Sequence, residues 1–293
     1  MKISKFKLAF SLIELSVVIL IIGILVIGIT KGSRIISESR LKSAMSLTNS
    51  APVTAIGDIV IWLETTNLDK SFDSGIADGS TVQNWKNYDL NDTSQKKATQ
   101  SSAANRPTYV KSGINGLPAL KFTSISDSFA AGSDCMSITN SFENNIENLT
   151  IFVVSAPVSP QGSYAFIMEK WNDLGDTYPY VIRVSGGYSF AAYDTSNNPN
   201  ANVSSTVTPS VISARRTKGG FLQMWVNGVQ KGGNVADNTG NTKNNADIYL
   251  GCRHFTNVFM DGYVGELIIF SRPLKDSERI SVETYLKQKW GIK

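Results

Sequence analysis

The stretch FLQMWVNGVQK, from Phe221 to Lys231, carries the strongest indication of how this chain folds. Apolar and polar side chains alternate over Phe221–Val226, which is the period of a half-buried strand. Asn227-Gly228 follows, the dipeptide that favours a two-residue hairpin turn, and Val229 begins a segment that returns along the first strand. The stretch predicts an antiparallel hairpin and therefore a β-rich domain.

Short runs of the same kind recur between segments rich in Ser, Thr, Asn and Gly. They are Ile59–Leu63, Leu149–Val154, Tyr180–Val184, Ile212–Arg216, Ile248–Leu250 and Leu267–Phe270. Because no helices alternate with these runs, the pattern predicts an antiparallel β-sandwich over residues 52–293. The last segment, Asp276 to Trp290, is predicted to be a helix, because Val282, Leu286 and Trp290 recur every four residues.

The order of these segments resembles that of laminin G-like, or concanavalin A-like, jelly rolls. The resemblance extends over about residues 55–293, through IVIWLETTNLD, RPTYVKSGINGLPALKF, NLTIFVV, MWVNG, IYLG and DGYVGELIIF followed by a terminal helix. Two departures are that Thr-Ser-Ile-Ser-Asp follows Phe122 in place of an Asp-Gly turn, and that Lys275 replaces a small hydroxyl residue. The resemblance implies a jelly-roll fold whose relatives bind glycans, often with calcium, hydrolyse glycans, or serve adhesion.

The first fifty residues have a different composition. From Phe10 to Ile29 the chain reads FSLIELSVVILIIGILVIGI. A helix of this length spans about 30 Å, the thickness of the hydrocarbon core of a bilayer. Lysines at positions 2, 5 and 7 precede it, and positive charge keeps that end cytoplasmic. We therefore expect a transmembrane helix over 10–29, a single pass through the inner membrane, and a periplasmic or extracellular C-terminal domain.

The segment from Ala9 to Glu14, AFSLIE, resembles the cleavage and methylation motif of type IV prepilins, in which glycine stands at the position of Ala9. The resemblance covers about the first fifty residues and implies a leader peptide at 1–9 and a pilin-like helix over 10–51. It implies that a prepilin peptidase cuts before Phe10 and methylates the new amine. It also implies that Glu14 pairs with the amine of a neighbouring subunit during assembly.

The charge and the cysteine count exclude several classes of protein. The formal net charge is +4, and no run of Lys and Arg interleaved with aromatic residues is present, so we predict no nucleic-acid partner. The single histidine, His254, has no neighbouring metal ligand in sequence, and we predict no metal site of the His/Cys type. Cys135 and Cys252 form a disulfide if their strands are adjacent, and are otherwise two separately buried thiols.

Candidate ligand-binding residues lie in one loop, which contains Trp171, Asp173, Asp176 and Tyr178. Aromatic rings beside carboxylates suit a saccharide, and calcium is compatible with the oxygen ligands, although no specific calcium motif is present. The same aromatics also suit a structural cover over the edge of the sandwich.

Catalysis is not predicted. Glycoside hydrolysis needs two carboxylates held about 5–10 Å apart. Glu143 and Glu147 flank a polar loop, and Glu266 stands alone on its predicted strand.

Two functions remain open from the sequence. The first is a pilin or pseudopilin subunit that assembles through its N-terminal helix into a pilus or a type II secretion filament and displays the lectin-like sandwich at the cell surface for adhesion. Its partners are the prepilin peptidase, other pilin subunits, the membrane, and surface glycans or proteins. The alternative is a singly anchored surface lectin that does not polymerise.

Overall fold

The computed structural model describes residues 12–88, 96–125, 132–139, 146–158, 165–172, 175, 177–204, 208–253 and 258–293. The chain divides into two compact units, residues 1–42 and 43–293. In chain order the elements are α1 (Leu12–Asn49), β1 (Ile59–Glu64), α2 (Leu68–Ser71), β2 (Asn84–Lys86), β3 (Lys97–Thr99), β4 (Thr108–Ile114), β5 (Leu117–Phe122), β6 (Met136–Ile138), β7 (Leu149–Pro157), β8 (Ala165–Glu169), β9 (Tyr178–Val184), β10 (Gly187–Tyr193), β11 (Asn200–Ser204), β12 (Ser210–Arg216), β13 (Phe221–Val226), β14 (Val229–Ala236), β15 (Ile248–Leu250), β16 (Cys252–Arg253), β17 (Val258–Phe259), β18 (Gly262–Phe270) and α3 (Asp276–Trp290).

The first unit contains most of α1, whose apolar residues from Leu12 to Val26 are all exposed. Within the described residues, no helix combines the length and the apolar character needed to cross a membrane. The predicted transmembrane helix over 10–29 is therefore wrong, and so is the inner-membrane placement that depended on it.

The second unit is a β-sandwich. The first sheet has the order β14-β13-β12-β7-β18-β5-β4, with β1 also paired to β18. The second has the order β11-β10-β9-β8-β15-β6-β3-β2. Every pairing between these strands is antiparallel, so the predicted mainly β sandwich is correct.

The β13–β14 hairpin forms as its sequence predicts. Val226 pairs with Val229 across a two-residue turn. Asn227 and Gly228 have φ angles of 55° and 84°, the left-handed values that this turn requires at both central positions. The turn therefore fixes the register of the edge of the first sheet.

Apolar side chains that alternate along the strands fill the space between the two sheets. From the first sheet they include Ile61, Ile151 and Leu267, and from the second Ile182 and Phe190. This layer is the main core, and burial of its side chains is the principal stabilising contribution to the domain.

A second apolar layer lies on the other face of the first sheet, where α3 packs. Val282, Leu286 and Trp290 of α3 are fully buried there, as the four-residue spacing predicts. Ala44, near the end of α1, is buried in the same layer. Within the second unit the order of layers is therefore helix, first sheet and second sheet.

Candidate functional site

The face of the second sheet that points away from the core carries a row of polar side chains. Along β15, β6, β3 and β2, every second residue enters the core, and the residues between them face outward. Strand register places four outward residues side by side, Tyr249 opposite Ser137, Ser137 opposite Thr99, and Thr99 opposite Asn84. These four strands therefore present one continuous polar surface.

A cavity of about 550 Å³ lies over this row. We call it the polar groove. Besides the row itself, its lining comprises Gln83, Gln100, Ser101, Ser102, Asn105, Cys135 and Met136. No residue in this lining is charged, and hydroxyl and amide groups predominate. Its volume lies within the range of small-molecule sites, and its polar groups are suited to a ligand rich in hydroxyls.

The wall of the groove is a rigid hydrogen-bonded frame. Gln100 donates from its side chain to the carbonyl of Cys135 at 2.7 Å and accepts from the backbone N–H of Ser102 at 3.0 Å. The Ser102 hydroxyl donates to the Asn105 side chain at 2.8 Å, and Asn105 donates to the carbonyl of Ser133 at 2.9 Å. The loop is thereby held against β6, so the groove is formed before any ligand arrives.

Three side chains at the groove keep unused hydrogen-bonding capacity. Those of Gln83, Ser101 and Ser137 make no hydrogen bond to any other residue that the structure describes. Gln83 and Ser101 are exposed, and Ser137 is half-buried. A serine hydroxyl donates and accepts, and a glutamine amide offers two donors and an acceptor, so these groups can pair with ligand hydroxyls.

A disulfide links this face to a small hairpin that covers part of it. Cys135, beside the groove, is bonded to Cys252 at the start of β16. The β16–β17 hairpin packs on β8, and Phe259 of β17 is buried with the two sulfurs while Tyr249 packs partly against them. The hairpin and the disulfide therefore border the groove at its Tyr249 end.

One carboxyl group behind the groove has a strongly shifted pKa. Burial raises the pKa of Asp134 to about 7, the nearby Asp261 adds to this, and the backbone N–H of Thr123, 2.8 Å away, opposes it. Asp134 directly precedes Cys135 in the chain and is itself buried. The charge of Lys121 also opposes the rise, but burial outweighs it, so a substantial fraction of this group is uncharged at neutral pH.

The aromatic residues predicted to bind ligand lie elsewhere on the second sheet. The Trp171 and Tyr178 ring centroids are 4.5 Å apart, and Tyr178 is 5.4 Å from Tyr193. The Arg253 guanidinium lies 3.5 Å from the Trp171 ring centroid. The structure thus places these rings in a packed cluster of their own, separate from the lining of the groove.

Several predicted site residues lie outside the described part of the chain. They are Ala9, Phe10, Asp173, Asp176 and His254, together with Glu143. Glu14 is described and lies exposed on α1. Among the described residues, no group of three or more His, Cys, Asp or Glu side chains is placed to hold a metal ion.

The fold does bring two carboxylates together, although sequence reasoning treated Glu266 as solitary. Glu64 on β1 lies opposite Glu266 on β18. Lys289 of α3 contacts both, at 3.1 and 2.8 Å, and all three side chains are fully buried. Burial opposes ionisation of Glu64, but Lys289 and hydrogen bonds from Thr66 and Asn67 hold its pKa below the usual value. The pair is enclosed and shares one buried cation, so it is not arranged to meet a substrate.

Glu147, the described member of the predicted loop pair, is also engaged. Its side chain accepts from the Thr242 hydroxyl at 2.7 Å and from the Thr242 backbone N–H at 3.0 Å. It therefore fixes the loop that contains Thr242.

Sequence reasoning did not find the polar groove. Its residues come mainly from four short strands between positions 83 and 249, and each of those strands has only three residues. The available signal was the alternation itself, since Ala98 and Trp85 are buried while their neighbours Thr99 and Asn84 face outward. That alternation shows which side of a strand is outward, but not which strands are adjacent.

No family model and no curated protein matches this chain. Solved structures do resemble it. The binding domain of Paraclostridial Mosquitocidal Protein 1 aligns with a TM-score of 0.55 and 13% identity, covering 80% of this chain and 55% of that one. Domain 4 of AbnA, a GH43 extracellular arabinanase from Geobacillus stearothermophilus, was solved in complex with arabinotriose. It aligns with a TM-score of 0.50 and 13% identity, covering 78% of this chain and 98% of that domain.

An enzyme is also among the similar structures. Trypanosoma rangeli sialidase in complex with sialic acid aligns with a TM-score of 0.53 and 12% identity, covering 80% of this chain and 33% of the sialidase. This chain therefore spans about a third of the sialidase and about half of the mosquitocidal binding domain. At such identities the likeness establishes the fold, a lectin-like β-sandwich shared by binding domains and by an enzyme.

Proposed function

We propose that this chain is a carbohydrate-binding module that holds a saccharide in the polar groove. The observation that carries the proposal is the row from Tyr249 through Ser137 and Thr99 to Asn84, which lies beneath a cavity with uncharged polar walls. Sugar hydroxyls would pair with Gln83, Ser101 and Ser137, and the apolar face of one sugar ring would lie against Tyr249. The lectin-like fold supports this reading.

We also propose that the module binds saccharides without cleaving them. Hydrolysis needs two accessible carboxylates at the bound sugar. The lining of the groove contains none, and Glu64 and Glu266, which face each other on the first sheet, are enclosed with Lys289 of α3. Incubation of the protein with each saccharide that it binds, followed by product analysis, tests this directly, and release of a shorter sugar would contradict it.

A glycan array, followed by calorimetric titration of each hit, tests the binding function. Gln83→Ala should weaken binding by roughly fivefold, the equivalent of about 1 kcal/mol for one hydrogen bond. Gln230→Ala is the matched control, because Gln230 is an exposed glutamine on β14 of the other sheet. Equal affinities for the wild-type protein and Gln83→Ala, or an array without hits, would contradict the proposal. Repeating the titration with a chelator tests the calcium dependence that the family resemblance implies.

A second proposed function is assembly through α1 with other copies of this chain, as the resemblance to pilins implies. The supporting observation is that α1 is exposed on every side from Leu12 to Val26, with Leu12 at 87% and Leu20 at 63%. An apolar helix that is exposed around its whole circumference can bury its side chains only if several helices surround it, because a single contact covers one face. The sandwich would then be displayed on the assembly.

N-terminal sequencing and mutagenesis test the assembly. The mature chain should begin at a methylated Phe10, and a chain that keeps Met1 would contradict cleavage by a prepilin peptidase. Glu14→Ala should reduce assembly, measured by cross-linking and light scattering, because the carboxylate would no longer pair with a neighbouring amine. Glu38→Ala is the control, since Glu38 lies on the same helix and pairs with Arg34 at 2.7 Å. Equal assembly of both variants would rule out the role of Glu14.

A further inference from the structure

The polar groove is closed at the end where Tyr249 stands. The next strand beyond β15 is β8, and Glu169 of β8 lies opposite Tyr249 in the register. Glu169 and Phe166 face the same outward side as the groove, yet they are only 0% and 3% exposed. The β16–β17 hairpin packs on β8 and is tied beside β6 by the disulfide between Cys135 and Cys252. Among the described residues, none from β8 lines the groove, so the groove ends at Tyr249.

The end of the groove at β2 is open. β2 is the last strand of the second sheet in the described part of the chain, so no further strand lies beyond Asn84. Gln83, which directly precedes β2, and Ser101, which follows β3, are exposed. Cys135 and Met136, on the β6 side of the same lining, are buried. The exposure of the lining therefore increases from β6 toward β2, and a ligand that enters at β2 meets the closed end beside β15.

A pair of opposite charges flanks the open end. Asn84 donates from its side chain to Asp73 at 2.6 Å, and Asp73 pairs with Lys86 at 2.9 Å. The side chains of Asp73 and Lys86 are 49% and 40% exposed, so both charges remain in contact with water. A saccharide chain that passes over β2 therefore lies beside hydrated side chains and does not have to displace a buried group.

The row beneath the groove is longer than one sugar ring. From Tyr249 to Asn84 it crosses three strand intervals, which amounts to about 14 Å at the usual spacing of strands. The wall made by Gln100, Ser102 and Asn105 runs along one side of this row. A chain of several rings that starts at Tyr249 is therefore guided across β6 and β3 toward β2.

We propose that the polar groove recognises the end of a saccharide chain and not its interior, with the terminal ring against Tyr249 and the following rings leaving over β2. This inference rests on the proposed saccharide-binding function and adds which part of the ligand the site selects. An interior ring has a neighbouring ring on each side, and the covered side of β8 leaves no room for a ring beyond Tyr249. At β2 the chain continues into solvent past the exposed Gln83.

Calorimetric titration of the full chain with capped probes tests this selection. The probes are a linear neutral trisaccharide taken from the glycan-array hits and two derivatives that carry the same benzyl cap, one on the reducing end and the other on the non-reducing end. One capped probe should bind within about twofold of the uncapped trisaccharide, and the other at least tenfold more weakly. If both capped probes bind as tightly as the trisaccharide, the groove accepts chain interiors, which overturns this inference and leaves saccharide binding intact. If both lose tenfold, the groove is closed at both ends, which overturns it as well.

Two variants locate the closed end, with the trisaccharide and the disaccharide that keeps its anchored end as probes. Tyr249→Leu should weaken both probes at least threefold, because both begin at Tyr249. Gln83→Ala should weaken the trisaccharide about fivefold and the disaccharide less than twofold, because two rings that start at Tyr249 do not reach β2. Gln230→Ala, on β14 of the other sheet, should change neither.

Thermal unfolding of the Tyr249→Leu variant checks that it is folded. A Gln83→Ala variant that weakens both probes equally would overturn the proposed direction of the chain, and so would a folded Tyr249→Leu variant that binds the disaccharide as the wild-type protein does. Absence of binding to any saccharide on the array would overturn both this inference and the proposed function.

Discussion

At the scale of single residues, Lys289 is a buried cation whose removal should lower the stability of the fold. It lies 3.1 Å from Glu64 and 2.8 Å from Glu266, fully buried. Trp62 and Trp290 each donate an indole N–H to Glu266, at 2.7 and 2.9 Å. The carboxylates are therefore satisfied as long as the cation is present.

Lys289→Met should lower the free energy of unfolding by about 3–5 kcal/mol, because it leaves two carboxylates buried without a cation. Urea denaturation monitored by tryptophan fluorescence measures the change. Lys287→Met is the control on the same helix, since Lys287 donates only to the carbonyl of Asn227 and should contribute about 1 kcal/mol or less. Similar losses in the two variants would show that the buried cluster has no special part in stability.

Asp134 should make stability depend on pH. Burial raises its pKa from 3.8 to about 7, so the folded protein keeps a proton that the unfolded chain releases. The stabilisation is fully present below about pH 4 and is lost as the pH rises through about 7. Compared with Asp134→Asn, whose amide does not ionise, the wild-type protein should lose stability across this window. Chemical denaturation at a series of pH values measures the difference, and a constant difference would contradict the prediction.

At the scale of elements, the sequence predicts a strand or helix correctly where the residues of that element alone specify its conformation. The β13–β14 hairpin depends on Asn227 and Gly228, which adopt positive φ. The helix α3 has the predicted bounds, Asp276–Trp290. At its start the Glu278 side chain accepts from the backbone N–H of Lys275 at 2.8 Å. Which side chain accepts from a backbone N–H at the start of a helix depends on the direction in which the preceding segment enters the helix.

The disulfide joins two segments of the second unit, and its two cysteines are 117 residues apart in the sequence. In the chain-entropy model, a closed loop of this length contributes about 4–5 kcal/mol. We expect the double variant Cys135→Ser, Cys252→Ser to be less stable by about that amount. We also expect weaker saccharide binding, because Cys135 lines the groove and the β16–β17 hairpin is anchored beside it.

Denaturation of the wild-type protein with and without a thiol reductant gives an independent measure of the same link. The double variant serves as the control, since a reductant should not change its stability. If reduction leaves the wild-type protein as stable as before, the disulfide does not stabilise the sandwich.

At the scale of the whole molecule, the boundary between the two units can be tested by truncation. Residues 43–293 form the second unit, and Ala44 and Thr48 are each only 2% exposed within it. A chain that starts at Ser43 should therefore unfold at the same temperature as the full chain. A chain that starts at Pro52 loses these contacts, together with that of Leu47, and should be less stable by about 2 kcal/mol. Thermal unfolding of the three chains measures both effects, and equal stability of the two truncated chains would contradict the placement of the end of α1.

The transmembrane prediction shows how a local pattern misleads at this scale. Twenty residues of nearly uninterrupted apolar character read as a spanning segment. Among the residues that the structure describes, no helix has the length and the apolar character needed to cross a membrane. A run of apolar residues in the sequence is therefore not enough to establish a spanning helix.

The sequence by itself determined several of the strands, the hairpin at Asn227-Gly228 and the helix α3, because these depend on alternation, turn residues and four-residue spacing within short segments. The same spacing placed Trp290 on the packed face of α3, where it is fully buried. Only the tertiary structure decided which strands are neighbours. Glu64 meets Glu266, and Tyr249 joins Ser137, through pairings between residues more than a hundred positions apart. Such pairings arise because burial of the whole core selects one arrangement of strands, and no local pattern encodes that choice.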